Sequence, residues 1–208
     1  HSTADWCVAS LRKSLPIALG GMLWSPKRHT LPQPIEVTNE VVKLADKRYE
    51  AMSLKTAYLN KQFHQKDVFR NLYIETEQQI ETLQVSGLDN RSIEIITHLN
   101  IGTWMNIKTE NWETAHHLLT PYAIRHIENA KSPFSILLKC ASNEEREQLR
   151  KHLIQRHIYP AILWTMPEDS PFDDAKAYAD TMLSVHCDAR YDSDNIVHIC
   201  KQIIEFYD

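Results

Sequence analysis

The stretch DWCVASLRKSLPIALGGMLW, residues 5–24, is the most informative part of the chain. Its two ends, Trp6–Ser10 and Met22–Trp24, are mostly apolar and predict two short strands. A basic pair, Arg12 and Lys13, lies between them and is followed by two consecutive glycines. The pattern therefore predicts a strand, a polar turn that carries a lysine, and a returning strand.

The residues that follow predict a connector and then long helices. Three prolines between residues 25 and 37 exclude a helix there. From Thr38, a good N-cap residue, apolar side chains recur every three to four positions. A second helix is expected over Lys66–Gln84, and a third from Asp89 through Leu119, with Gly102 as a possible interruption.

After Pro133 the pattern changes to strands alternating with helices. Short apolar runs at 134–138, 159–164 and 182–187 predict strands. Ser142 opens a capping-box pattern, and Asp192 can cap a last helix. The expected fold class is therefore α/β (α+β), with helices packed on a short sheet and with the first thirty or so residues belonging to a different unit.

Composition excludes several classes of protein. The chain has 208 residues, only 4 glycines and a net charge of −4. Neither GxGxxG nor GxxxxGK[ST] can be written in it, so Gly-rich phosphate loops are excluded. The charge argues against nucleic acid as a partner, and no apolar run is long enough to span a membrane. Four widely spaced cysteines without CxxC predict reduced thiols in a cytoplasmic protein.

Metal and serine-hydrolase sites are not expected. The 11 histidines form no HExxH motif, and the His/Cys pairs near the C-terminus lack zinc-site spacing. No GxSxG motif is present either. The sequence therefore predicts neither a metal centre nor a nucleophilic serine.

The polar turn is the one constellation that could carry chemistry. A lysine that forms a Schiff base must lose its proton, and a neighbouring cation such as Arg12 would favour that loss at Lys13. Ser10, three residues before the lysine, could donate a hydrogen bond to a phosphate. The alternative is an ordinary surface Arg–Lys pair.

Read as a whole, residues 5–16 followed by Gly20 and Gly21 resemble the lysine segment of fold type I aminotransferases that use pyridoxal 5′-phosphate (PLP). The closest likeness is to the DegT-type, sugar aminotransferase-like branch, in which a Gly-Gly pair follows the cofactor lysine seven and eight residues later. Further likeness lies at 111–115, 158–164 and 183–191, so the resemblance extends over essentially the whole chain.

The resemblance implies a domain organisation. Residues 1–35 would be the tail of the large PLP-binding domain, including the lysine segment. Residues 36–208 would be the interdomain helices and a small C-terminal α/β domain. Because the residues that sandwich the cofactor ring precede the lysine in this family, we expect the chain by itself to bind PLP poorly and to be inactive.

The resemblance also implies roles for particular residues. Lys13 would form the Schiff base with PLP and shuttle protons, while Ser10 and Arg12 would lie near the phosphate. Arg190 would bind an anionic group of the substrate, which would be an amino donor or a keto or keto-sugar acceptor. These enzymes act as homodimers, and Arg48, Lys55 and Tyr58 on the first long helix could reach the partner's cofactor. For Arg48 and Lys55 the alternative is a solvated helix face.

Two other functions remain open. A PLP-dependent lyase of the same fold would use the same lysine, and the sequence does not separate it from an aminotransferase. A non-catalytic interaction module of helices and sheet would leave Lys13 as an ordinary surface residue.

Overall fold

The computed structural model describes residues 2–122, 133–163 and 165–208. The chain divides into two compact units, His1–Leu99 and Asn100–Asp208. The boundary expected after residue 35 concerns the part of a parent enzyme to which each segment belongs, and it stays a prediction.

A small β-hairpin begins the first unit. Strands β1 (Cys7–Ser10) and β2 (Gly21–Trp24) pair antiparallel, which confirms both predicted strands. A 3-10 turn, Leu11–Lys13, leaves β1, and the amide of Leu11 donates to the carbonyl of Gly20 at 2.9 Å. Gly20 has a φ of +137°, which L side chains rarely adopt, so glycine suits this return into β2.

Three helices complete the first unit, and the first of them begins at a side-chain cap. Helix α1 (Asn39–Leu59) begins where predicted, because the Thr38 hydroxyl accepts a hydrogen bond from the amide of Val41. Helix α2 covers Lys66–Thr82, and helix α3 covers Asn90–His98.

The apolar stripe of α1 forms the core of the first unit. Its side chains pack against the segment that follows the lysine turn, which is buried at residues 17–19. The buried core members are Ala18, Leu19, Val41, Leu44, Ala45 and Tyr49, and the partly buried side chains packed against them are Met52, Ile80, Leu83 and Ile95. The lysine turn is thus continuous with a segment anchored in the core.

The long helix predicted from Asp89 to Leu119 is two helices, and the break does not lie at Gly102. Leu99 has an extended backbone, and α4 (Ile101–Leu119) begins immediately after Asn100. The Asn100 side chain accepts a hydrogen bond from the amide of Thr103 at 3.0 Å and so caps α4, while the extended backbone at Leu99 ends α3.

The second unit places helices on a two-stranded sheet. Strand β3 (Ile136–Lys139) pairs antiparallel with β4 (Met182–Val185). Around them lie α5 (Asn143–Gln155), α6 (Asp173–Thr181) and α7 (Ser193–Tyr207). The predicted caps are confirmed: Ser142 accepts from the amide of Glu145 and Asp192 from the amide of Asn195.

The strand or edge segment expected over 159–164 is reduced to a single bridge at the edge of the sheet among the residues that the structure describes. Only Ala161 makes a bridge, with Ser184 of β4, while Trp164 lies outside the described residues. Pro160 has no amide hydrogen to donate to a sheet, which is consistent with so short a pairing. The described chain is therefore mixed and mostly helical with two short two-stranded sheets, which confirms the α/β (α+β) fold class.

The second unit has a continuous apolar core. Strand β4 is buried at all four positions. The buried core members are Ala115, Leu119, Ile136, Leu138, Cys140, Leu149, Leu153, Leu183, Val185, Cys187, Ile196, Ile199, Cys200 and Ile203. All four cysteines of the chain are free thiols, and burial raises the pKa of Cys187 and of Cys200 to about 12.

Among the described residues, no helix combines the length and apolar character needed to cross a membrane.

Two leucines of α1 provide a matched test of the core of the first unit. Leu44 is 3% exposed and Leu59 is 67% exposed. Leu44→Ala removes buried methyl groups and leaves a cavity, so it should lower the free energy of unfolding by about 2–5 kcal/mol. Leu59→Ala should change it by no more than about 0.5 kcal/mol. Urea denaturation of both variants measures the difference, and equal effects would contradict the packing described.

Candidate functional site

The three residues predicted around the lysine lie at the end of β1, and their side chains differ in exposure. Ser10 is exposed and pairs across the hairpin with Gly21. The Arg12 side chain is only 15% exposed, whereas that of Lys13 is 54% exposed. The turn therefore directs one cation towards the protein and leaves the other accessible to solvent.

Arg12 forms a two-bond ion pair with Glu77 of α2. Its Nη2 donates to Glu77 Oε1 at 2.7 Å, and its Nη1 donates to Oε2 at 3.3 Å. Two parallel N–H donors facing both oxygens of a carboxylate fix orientation as well as distance. This pair joins the lysine turn to a helix 65 positions further along the chain.

Arg48 of α1 reaches the same carboxylate from another side. Its Nη1 donates to Glu77 Oε2 at 2.9 Å and to the hydroxyl of Thr76 at 3.2 Å. Thr76 is fully buried, and Arg48 is 9% exposed, so the solvated-face interpretation of Arg48 is wrong. The guanidinium also lies 5.6 Å from the centre of the Tyr73 ring, a cation–π distance.

Three cations thus surround one carboxylate. Lys13 Nζ lies 4.0 Å from Glu77 Oε1, in addition to the two guanidinium groups. Burial alone would raise the pKa of Glu77, but the hydrogen bond and charge of Arg12, and then those of Arg48, outweigh it and lower the pKa. Glu77 therefore stays ionised and binds the three positive groups together.

An open groove of about 440 Å³ lies beside the hairpin. The two glycines Gly20 and Gly21 line it together with the end of α2 and the residues that follow that helix. The remaining lining is mostly apolar: Val8, Ala9, Leu19, Met22, Leu23, Val41, Ile80, Leu83, Gln84, Val85, Ser86, Gly87 and Leu88. Ser10, Arg12 and Lys13 are not among the lining residues, so the groove runs along the strands rather than over the lysine.

Arg190, the predicted substrate-anion residue, belongs to the second unit and is paired with Asp188. Its Nε and Nη2 each donate to a different oxygen of that carboxylate at 2.7 Å. Burial would raise the pKa of Asp188, but the hydrogen bond and charge of Arg190 outweigh it and lower the pKa. A substrate anion would have to share Arg190 with Asp188, and the assignment of Arg190 stays a prediction.

Asn111, which opens one of the segments carrying the resemblance, has a structural role in the second unit. Its amide nitrogen donates to the carbonyl of Tyr191 at 2.9 Å and to that of Cys187 at 3.2 Å. It is 3% exposed. These bonds tie α4 to the loop that follows β4 and carries Arg190.

Sequence reasoning did not identify Glu77, although part of the signal was present. Arg48 falls on the apolar stripe of α1, seven residues after Val41 and four after Leu44, where a charged side chain must find a partner. Such a position predicts a buried ion pair. The identity of the partner, on another helix, is not encoded in that spacing.

No group of three or more His, Cys, Asp or Glu side chains among the described residues is arranged to hold a metal ion.

No family model matches the sequence, and no curated protein matches it. One solved structure that matches is a putative sugar aminotransferase from Streptococcus pneumoniae in its PMP form, at 12% identity and a TM-score of 0.44. The match covers 50% of this chain and 31% of that one, so the chain spans about a third of the matched protein. A likeness this distant carries no argument about function.

The lowered pKa of Glu77 predicts a pH-dependent contribution to stability. A folded-state pKa below the ordinary value of 4.5 means that the unfolded chain binds this proton more readily. The contribution is therefore complete above about pH 4.5 and is lost as the pH falls through the lower folded value. The difference in unfolding free energy between the wild type and Glu77→Gln should be constant near neutrality and should shrink in acid.

Urea denaturation between pH 7 and pH 3 measures this difference. Glu81→Gln, which removes a negative charge from an exposed position on the same helix, is the control for a general charge effect. A gap between wild type and Glu77→Gln that persists undiminished in acid would show that the carboxylate is not the stabilising group.

Proposed function

We propose that the chain is the C-terminal portion of a PLP-dependent aminotransferase in which Lys13 binds the cofactor. The observation that carries the proposal is the lysine turn itself. An exposed amine lies at the end of the short turn that follows β1, with Ser10 before it and the Gly20–Gly21 pair after it, in the order typical of that family's lysine segment. The return through Gly20 at positive φ is consistent with such a segment.

The residues of the turn fit the chemistry of this cofactor. PLP carries an aldehyde, which needs an accessible amine, and a phosphate, which needs hydrogen-bond donors and positive charge. Lys13 is 54% exposed and Ser10 is exposed, so both are accessible. Arg12 fits a phosphate only by sharing its guanidinium with Glu77. When bound, PLP supplies the electron sink for carbanion chemistry.

In this proposal the chain's own residues hold the cofactor, orient the substrate and transfer a proton. Lys13 would hold the cofactor through its amine, and the same Nζ would take up and return a substrate proton. Arg190 orients an anionic amino donor or a keto or keto-sugar acceptor. The rest of the cofactor pocket would come from sequence that precedes this chain, and a cytoplasmic homodimer would be the working form.

A non-catalytic interaction module is the second candidate, and one observation favours it. Arg12 is paired with Glu77, and Lys13 lies 4.0 Å from the same carboxylate, which is also what a structural ion cluster would show. A PLP-dependent lyase remains a third possibility. An amino-donor assay that detects the ketoacid product separates lyase from aminotransferase.

Chemical trapping of the amine tests the assignment of Lys13. PLP is added in excess to the chain, because we expect the chain by itself to bind it poorly. The carbon–nitrogen double bond is reduced with cyanoborohydride, which retains the bound cofactor, and the labelled lysines are identified by peptide mass. We expect Lys13 to be labelled in preference to Lys27, which is similarly exposed at 50% and therefore serves as an internal control. Lys13→Ala should remove most of the labelling, and Lys27→Ala should leave the labelling of Lys13 unchanged.

The same pair of variants can be made in the full-length parent. There the visible absorption band of lysine-bound PLP is recorded. A band of equal strength in wild type and Lys13→Ala would sink the assignment.

A further inference from the structure

We infer that Glu77 is the positioning residue for Lys13: its carboxylate holds the lysine turn against α1 and α2 and sets the charge that the amine faces. The role of Lys13 in this inference rests on the proposed function. The contacts that carry it do not depend on any cofactor.

The first step of the argument is the link from the carboxylate to the turn. Arg12 precedes Lys13 directly, and its guanidinium meets both oxygens of Glu77, at 2.7 and 3.3 Å. The backbone of the turn is held as well, because the amides of Ser14 and Leu15 both donate to the carbonyl of Leu11. A fixed guanidinium on this short turn restricts the path of the next side chain.

The second step is the rigidity of the anchor. Glu77 is 44% exposed and would be a weak anchor alone, since exposed ion pairs contribute little. It is held from behind by Arg48, whose guanidinium also bonds the fully buried Thr76. The Thr76 hydroxyl donates in turn to the carbonyl of Leu72 at 2.7 Å, within α2. The carboxylate thus belongs to a network fixed on two helices.

The third step concerns charge. Among the described residues, Arg12 of the same turn and Arg48 of α1 share the Glu77 carboxylate of α2 with the Lys13 amine. Two of these are cations that repel an ammonium, and Glu77 offsets them. Without the carboxylate, the attraction between Glu77 and the ammonium group is lost, while the two guanidinium groups remain.

The matched control is Glu75. It lies on the same helix, its side chain is 48% exposed, and it pairs with Lys47 at 2.6 Å, well away from the turn in its contacts. Glu75→Gln therefore removes one carboxylate and one ion pair from α2 without altering the contacts between Arg12 and Glu77. Glu77→Gln keeps the shape of the side chain and removes its charge.

Two measurements on the full chain test the inference. Trapping with PLP and cyanoborohydride is repeated over a range of pH, and the labelling of Lys13 is expressed relative to Lys27 in the same sample. We expect Glu77→Gln to move the midpoint of Lys13 labelling to lower pH.

In parallel, hydrogen exchange at the amides of Ser14 and Leu15 should become about tenfold faster, as the loss of hydrogen bonds to a charged group implies. Glu75→Gln should change neither quantity.

A merely structural role for Glu77 would lower global stability without moving the labelling midpoint of Lys13 relative to Lys27. If Glu77→Gln and Glu75→Gln give the same midpoint and the same exchange rates, the inference is overturned.

The outcome is distinguishable from failure of the proposed function. Equal labelling of Lys13 and Lys27 in the wild type would contradict the cofactor role, yet hydrogen exchange at the turn amides would still test the role of Glu77.

Should Glu77→Gln not fold, Glu77→Asp replaces it, because it keeps the charge but withdraws it by one methylene. Faster exchange at Ser14 and Leu15 supports the inference, and unchanged exchange overturns it.

Discussion

The ion pair of Arg48 with Glu77 is the constraint on which the first unit depends. A guanidinium that is 9% exposed costs free energy unless a carboxylate and further acceptors compensate it. Glu77 and Thr76 do so from α2, and the same carboxylate extends the network to the turn that follows β1. The apolar contacts of α1 are non-directional, whereas these bonds specify how its two neighbours are aligned. The lysine turn takes its place from that alignment.

Those parts of the fold that depend on neighbouring residues could be predicted from the sequence. Thr38, Ser142 and Asp192 each cap a helix through a side chain and an amide three positions later, so the signal and the structure are both local. The break before α4 lies at Asn100 and not at Gly102, although glycine is the weakest helix former in this pattern. The capping bond of Asn100 fixes the start of α4. The segment around Ala161 needed a partner strand that no local pattern specifies, and it forms one bridge.

For the candidate site, too, the local features could be predicted from the sequence, whereas the long-range contacts could not. The strand, the turn and the accessible amine of Lys13 follow from twenty consecutive residues. The carboxylate that organises them does not, because Glu77 is one of many acidic residues on exposed helices and nothing near it in sequence indicates Arg12 as its partner. Only Arg48, a charge on an apolar stripe, indicates that an unseen acid is required. The spacing of residues in one sequence therefore does not identify the partners of ion pairs that join distant parts of the chain.

The cysteine thiols of the two units differ in their accessibility to reagents. Cys140, Cys187 and Cys200 are all buried in the core of the second unit, while Cys7, on β1 of the first unit, is partly accessible. Their burial suppresses the reactive thiolate, so these three sulfurs become nucleophilic only when the core around them opens. The rate at which a thiol reagent labels these three cysteines therefore reports the opening of the second unit. Labelling of Cys7 reports separately on the first unit.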